Sequence, residues 1–195
     1  MMDDVLDMAH SELRSLVTKA ARGAGFSWGM AEEAGWAAEW LARRSLPAGK
    51  WAADWLAEAI NGKPDPVGFG TGLADRLAFG DGPLPQEDLP EDMVAPAYVL
   101  PFLHLIATRR GPVELASPLG RAVLVEADGT VVFGPSWSER ARSWRVQSAR
   151  IRQGASRAQV EASVAECLER LALRTTVPPS DASRRNAGSV TSDND

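Results

Sequence analysis

Gly120-Arg-Ala-Val-Leu-Val-Glu-Ala-Asp-Gly-Thr-Val-Val-Phe133 decides the fold class of this chain. Two apolar, largely β-branched runs flank Asp128-Gly129. That pair readily takes the positive φ angles of a tight primed turn, so the stretch predicts a β-hairpin. The apolar run from Tyr98 to Thr108 is expected to join it in a small, mainly antiparallel sheet.

Upstream, the pattern is helical. Leu13, Leu16, Val17, Ala20 and Ala21 form one stripe on a helix that Ser11 can cap and that ends near Arg22, at Gly23 and Gly25. A second helix is expected from about Ser27 to Arg44, ending before Pro47. A third runs from Lys50 to Ile60, closed by Asn61 and Gly62. Residues 63 to 90 are rich in Gly and Pro and acidic toward their end, which reads as a long irregular connection with one short helical piece at Leu73 to Phe79. Residues 136 to 152 fit helix or strand equally. Ser156 and Gln159 have capping-box spacing ahead of a stripe of Val160, Val164, Cys167, Leu168 and Leu171. The expected architecture is α+β: an N-terminal three-helix unit, a small mainly antiparallel sheet, then a C-terminal helix and extended tail. Residues 1–177 are expected to form one globular domain, with 178–195 as the tail.

Composition narrows the class further. A hydrophobic fraction of 45% and a charged fraction of 24% belong to a folded chain. No apolar run approaches the roughly 20 residues that span a bilayer, and the first ten residues lack the basic and apolar regions of a signal peptide. The expected compartment is the cytoplasm, with no membrane partner. The formal charge of −5 opposes general nucleic-acid binding. Cys167, the single cysteine, has no internal disulfide partner and reads as a core residue.

Few residues offer chemistry. Gly25-Phe-Ser-Trp-Gly29 matches the pattern of a nucleophile elbow, but it joins two helices instead of following a strand, so Ser27 reads as an N-cap. Only His10 and His104 are available as bases. His104 lies in an apolar run where a half-buried, hydrogen-bonded strand histidine is the ordinary role, which leaves it a weak catalytic candidate. No zinc-type spacing, dinucleotide fingerprint or P-loop is present, so neither metal nor cofactor is expected. Arg140, Arg142, Arg145, Arg150, Arg152 and Arg157, interleaved with Trp137 and Trp144, form the one concentrated basic segment. Guanidinium forks bind carboxylates and phosphates, and an indole offers a stacking face, so this segment is the candidate anion site. The plainer reading is a solvated face paired with the acidic connection near Glu87.

Four tryptophans bear on association. On a helical wheel Trp36 and Trp40 fall beside the apolar face of the second helix, and Trp51 and Trp55 repeat their spacing on the third. Such indoles need a cover, either this chain's own sheet or a second chain, which makes all four interface candidates.

Two segments are also familiar. Ala20-Ala-Arg-Gly-Ala-Gly-Phe-Ser-Trp-Gly-Met-Ala-Glu-Glu-Ala-Gly35, and Leu171-Ala-Leu-Arg-Thr-Thr-Val-Pro-Pro-Ser-Asp-Ala-Ser-Arg184 with its ending Ser192-Asp-Asn-Asp195, resemble a proteobacterial family known only as a domain of unknown function. The resemblance implies small cytoplasmic proteins and carries over no activity, catalytic residue or cofactor. The chain departs from the family pattern at Thr176, where an aromatic is usual, and around Ala187, where glycine is commoner. The long ending implies a tail with a fixed place, and its terminal acids are expected near the arginines of residues 140–157.

Three functions remain open on these grounds. The leading one is a non-catalytic accessory or oligomerising protein with a protein partner. The second is a small enzyme acting on an anionic metabolite, and the third a regulatory nucleic-acid binder.

Overall fold

Ser27 accepts a hydrogen bond from the Met30 amide at 3.3 Å and starts the second helix where the sequence predicts. The computed structural model describes residues 5–77, 87–117, 120–138 and 157–174. Its first helices are α1 (His10–Gly23), α2 (Trp28–Ala42) and α3 (Ala48–Ala59), the expected three-helix unit. α1 begins one residue before the expected cap. Glu12, three residues on from Ala9, accepts the Ala9 amide through Oε2 at 2.6 Å, and Ser11 faces water.

The three helices pack through very small side chains. Ala20 and Ala21 of α1 and Ala31, Ala34, Ala37 and Ala38 of α2 have no exposed surface. Where α2 crosses α1, a Cβ on Gly35 would stand 2.0 Å from Thr18 Oγ1 and 2.7 Å from the Arg14 carbonyl oxygen. The backbones approach this closely only because Gly35 has no side chain.

Two helices stand where the sequence predicts something else. Residues 66–77, expected as largely irregular connection, form α4 (Pro66–Leu77). Pro66 fits the first turn, where its missing N–H costs nothing, and Asp65 accepts the Val67 and Gly68 amides at 2.9 Å each. Gly70 is needed for packing, because a Cβ there would lie 2.4 Å from the Phe102 ring. The run from Tyr98 to Thr108 is not a strand. A 3-10 turn (Pro96–Val99) leads into α5 (Leu100–Arg110), which buries Phe102, Leu103, Ile106 and Ala107 and turns Leu105 outward. Pro101 sits in the first turn of α5, where helices accept it.

The predicted hairpin is present. β2 (Val113–Ser117), β3 (Gly120–Val125) and β4 (Val131–Phe133) form an antiparallel sheet in that order. Its turn is longer than the expected primed pair. The Glu126 amide donates to Thr130 O at 2.9 Å and the Gly129 amide to Glu126 O at 3.0 Å, while Gly129 alone takes a positive φ, of 84°. The loop is therefore three residues, 127–129, with glycine in its left-handed position.

A second, two-stranded sheet pairs β1 (Val5–Ala9) with β5 (Arg157–Glu161), antiparallel, from Val5 opposite Glu161 to Ala9 opposite Arg157. Val160, expected on the last helix, is therefore a strand residue, and it seats its methyls against Gly49. α6 (Ala162–Leu173) follows and buries Ala165, Leu168, Leu171 and Ala172. Cys167 is partly buried beside that core. The chain is an α+β protein. Residues 139–152, with the helix-or-strand choice over most of 136–152, and the tail from 175 onward lie outside the described residues.

His10, at the head of α1, is only 6% exposed, and its Nε2 has no hydrogen-bond partner among the described residues. Burial first, then the Arg43 charge, lowers its pKa from the usual value near 6.5, with Glu39 opposing. The folded state therefore holds His10 neutral while the unfolded chain protonates first, so stability falls as pH drops through 6.5 and below. Urea melts of the native chain between pH 7 and 5 should lose stability that a His10→Gln variant keeps. Parallel pH curves for the two proteins would contradict this.

Candidate functional site

His104 is brought by α5 against α2 and the β3–β4 turn. Its ring lies 5.6 Å from that of Trp40, tilted by 39°, and its Nδ1 is 3.3 Å from the Glu126 carbonyl oxygen. The sequence expectation of a half-buried, hydrogen-bonded histidine holds, but on a helix. Arg44 completes the group. Its guanidinium lies 3.5 Å from the centre of the Trp40 ring, Nε donates to Gly129 O at 2.8 Å, and Nη1 donates to Trp40 O at 3.0 Å. Burial lowers the Arg44 pKa and the Asp128 charge partly offsets this. Asp128 is held below the usual carboxylate range, chiefly by accepting hydrogen bonds from Thr130. With its donors on main-chain carbonyls, Arg44 fixes the hairpin turn to α2.

The four interface candidates are placed as follows. Trp40 is 8% exposed, Trp51 4% and Trp55 1%. Trp36 is partly buried and meets Phe102 edge to face at 5.4 Å, while Trp55 sits between Phe26 at 5.3 Å and Tyr98 at 5.7 Å. Tyr98 donates its hydroxyl to Ala48 O at 2.9 Å, and burial raises its pKa well above 10. This chain's own helices supply contacts to Trp36, Trp40 and Trp55, so their burial requires no second chain. The anion-site candidates Arg140, Arg142, Arg145, Arg150 and Arg152 lie outside the described residues, and of Arg157 only the backbone in β5 is described. Glu87 of the acidic connection pairs with Arg76.

A different tryptophan is left in the open. Trp28, the first residue of α2, is 68% exposed, the highest value among the large hydrophobic side chains described. The Arg22 guanidinium lies 4.6 Å from its ring centre, and Arg22 also donates to the Phe26 carbonyl. Arg22 Nε is buried without an acceptor among the described residues.

Glycines leave the ground beside the indole bare. Gly25 turns the chain with φ of 99°, and a Cβ on Gly25 or Gly29 would meet nothing within 4 Å. Gly25 is explained by its backbone. Gly29 has no such reason, and a helix glycine costs about 0.5–1 kcal/mol relative to alanine. The α1–α2 junction is therefore an open shelf: an exposed indole, a cation against one face, and no side chains at Gly25 and Gly29. Ser27 within it is structural. Ser27→Ala should cost about 1 kcal/mol of stability, read as a lower urea midpoint, and a midpoint equal to that of the native chain would refute the capping role.

Sequence reasoning missed Arg22, Trp28 and Arg44. The Trp40 to Arg44 spacing of four was a usable signal, since it sets a guanidinium over an indole on one helix face. Arg22 and Trp28 belong to different helices, and only the Gly25 turn brings them together.

No curated protein and no solved structure matches the chain. Over residues 8–62, from the end of β1 to just beyond α3 and including the whole shelf, it matches the model of a family described as a protein of unknown function, DUF3726, in keeping with the resemblance read from Ala20 to Gly35.

Proposed function

We propose that this protein is a non-catalytic accessory protein, cytoplasmic and bacterial, that works by binding another protein chain at the Arg22–Trp28 shelf. The observation that carries the reading is the indole of Trp28, left 68% exposed beside a cation and a bare glycine. Tryptophan and arginine are the residues most enriched at the energetic centres of interfaces, where a large flat side chain loses little entropy on contact. Gly29 adds to this, because its cost to the helix is matched by no need of the fold.

The rival enzyme reading relies on His104 and the arginines of residues 140–152. His104 has its ring against Trp40 and its Nδ1 on a main-chain carbonyl, an arrangement suited to anchoring a turn.

A photoreactive benzoylphenylalanine at position 29, with a control at Leu105 on α5, tests the proposal in the native host. The expected result is one defined protein adduct from position 29 alone. Loss of a central tryptophan typically costs about 2 kcal/mol or more of binding, so Trp28→Ala should weaken the purified complex by about 30-fold. Identical adducts from both positions, or a complex indifferent to Trp28→Ala, would sink the reading.

A further inference from the structure

We propose that the partner at the shelf is an acidic segment of another protein, which sets apolar side chains on Trp28 and Leu173 and its carboxylates on the cations of α1 and α6 beside them. This rests on the shelf's role as a protein-binding site and names the partner's chemistry.

The shelf continues onto α6. A Cβ on Gly23 would fall 1.5 Å from the Leu171 carbonyl oxygen and 3.3 Å from Arg174 Cβ, so the last turns of α1 and α6 touch. Gly23 follows Arg22, whose guanidinium stands 4.6 Å from the centre of the Trp28 ring. Leu173, the neighbour of Arg174, is 65% exposed, second only to Trp28 at 68% among the large hydrophobic side chains described. The two barest apolar side chains therefore stand at the same end of the helices.

Charge decides what covers them. Lys19, Arg22, Arg170 and Arg174 lie toward the C-terminal ends of these two helices, and neither residues 19–31 nor residues 170–174 contain an Asp or Glu. Glu32 and Glu169 begin immediately outside, and the chain as a whole carries −5, so this end is opposite in sign to its surroundings. Lys19, Arg170 and Arg174 are exposed, and none of the four cations forms an ion pair with a described residue. Cations near a helix C-terminus offset its dipole, which accounts for their place. It does not account for an indole and a leucine left bare among them. A short acidic segment with apolar side chains matches both and meets only this end, whereas a nucleic-acid strand or an anionic bilayer also faces the chain's net negative charge.

The purified full-length chain is panned against random peptides displayed on phage, with Trp28→Ala as the counter-target. Peptides retained by the native chain alone should be rich in Asp and Glu around Leu, Phe or Trp. The leading one, labelled for fluorescence anisotropy, should bind about tenfold more weakly to Lys19→Gln/Arg170→Gln/Arg174→Gln at an unchanged melting temperature, and several-fold more weakly to the native chain at high salt. Retained peptides without net negative charge, or an affinity untouched by the triple variant, overturn the acidic assignment while leaving a protein site at Trp28 in place. Finding no peptide that separates the native chain from Trp28→Ala overturns it too, and the photoreactive probe at position 29 judges the wider reading separately. So does tighter binding of oligothymidylate or of phosphatidylserine vesicles than of the peptide, which would make a nucleic acid or a membrane the partner.

Discussion

Gly23→Ala is expected to destabilise the protein by about 3 kcal/mol, the upper end of the usual overpacking cost. The added methyl would fall 1.5 Å from the Leu171 carbonyl oxygen and 2.5 Å from its carbon. These are backbone atoms, so no rotamer change relieves the clash, and α1 and α6 must move apart. That separation also disturbs Leu13, Val17, Ala20, Leu168 and Leu171, which belong to the one core cluster. In urea the midpoint should fall with the slope unchanged. Gly29→Ala is the matched control, because its methyl meets open space and the helix gains from losing a glycine. A Gly23→Ala midpoint as high as that of Gly29→Ala would mean that the α1–α6 approach is looser than described.

Trp55→Ala should cost more, about 3–5 kcal/mol, as large aromatic truncations in a core do. Trp55 is 1% exposed, its ring stacked edge to face on Phe26 and tilted against Tyr98. Removing it opens a cavity between the α1–α2 turn and α3, and takes support from the Tyr98 ring whose hydroxyl holds the head of α3 at Ala48. Trp28→Ala, on the surface, should change stability by less than about 0.5 kcal/mol. Denaturant midpoints for the pair decide the matter: equal losses would put Trp28 in the core and remove the basis of the shelf.

The first three helices were legible because each carries an apolar stripe and a clear stop. α4 was not, since Gly68, Gly70 and Gly72 read locally as a loop. Their helical role depends on Phe102, more than thirty residues on, and on the Asp65 cap. α5 was misread because it is apolar on nearly every side, so neither a period of two nor one of 3.6 stands out across Tyr98 to Thr108. β1 has meaning only through β5, about 150 residues away. What covers the tryptophans was not legible for a related reason. The helical wheel gave α2 one buried face, but α2 is packed against α1, α3, α4 and α5, so Trp40 is covered although it lies off the main stripe.

The alanine contacts between α1 and α2 constrain how this chain can change over generations. Ala20, Ala21, Ala31, Ala34, Ala37 and Ala38 are already next to the smallest residue available. Replacement by glycine loses about 1 kcal/mol of helix propensity at each site, and replacement by anything larger meets a neighbouring backbone or side chain with nowhere to retreat. Large aliphatic cores can exchange volume between neighbours, one residue shrinking while another grows. Here no partner has volume to give up, so compensation is closed, and drift should concentrate on the outer faces of these helices.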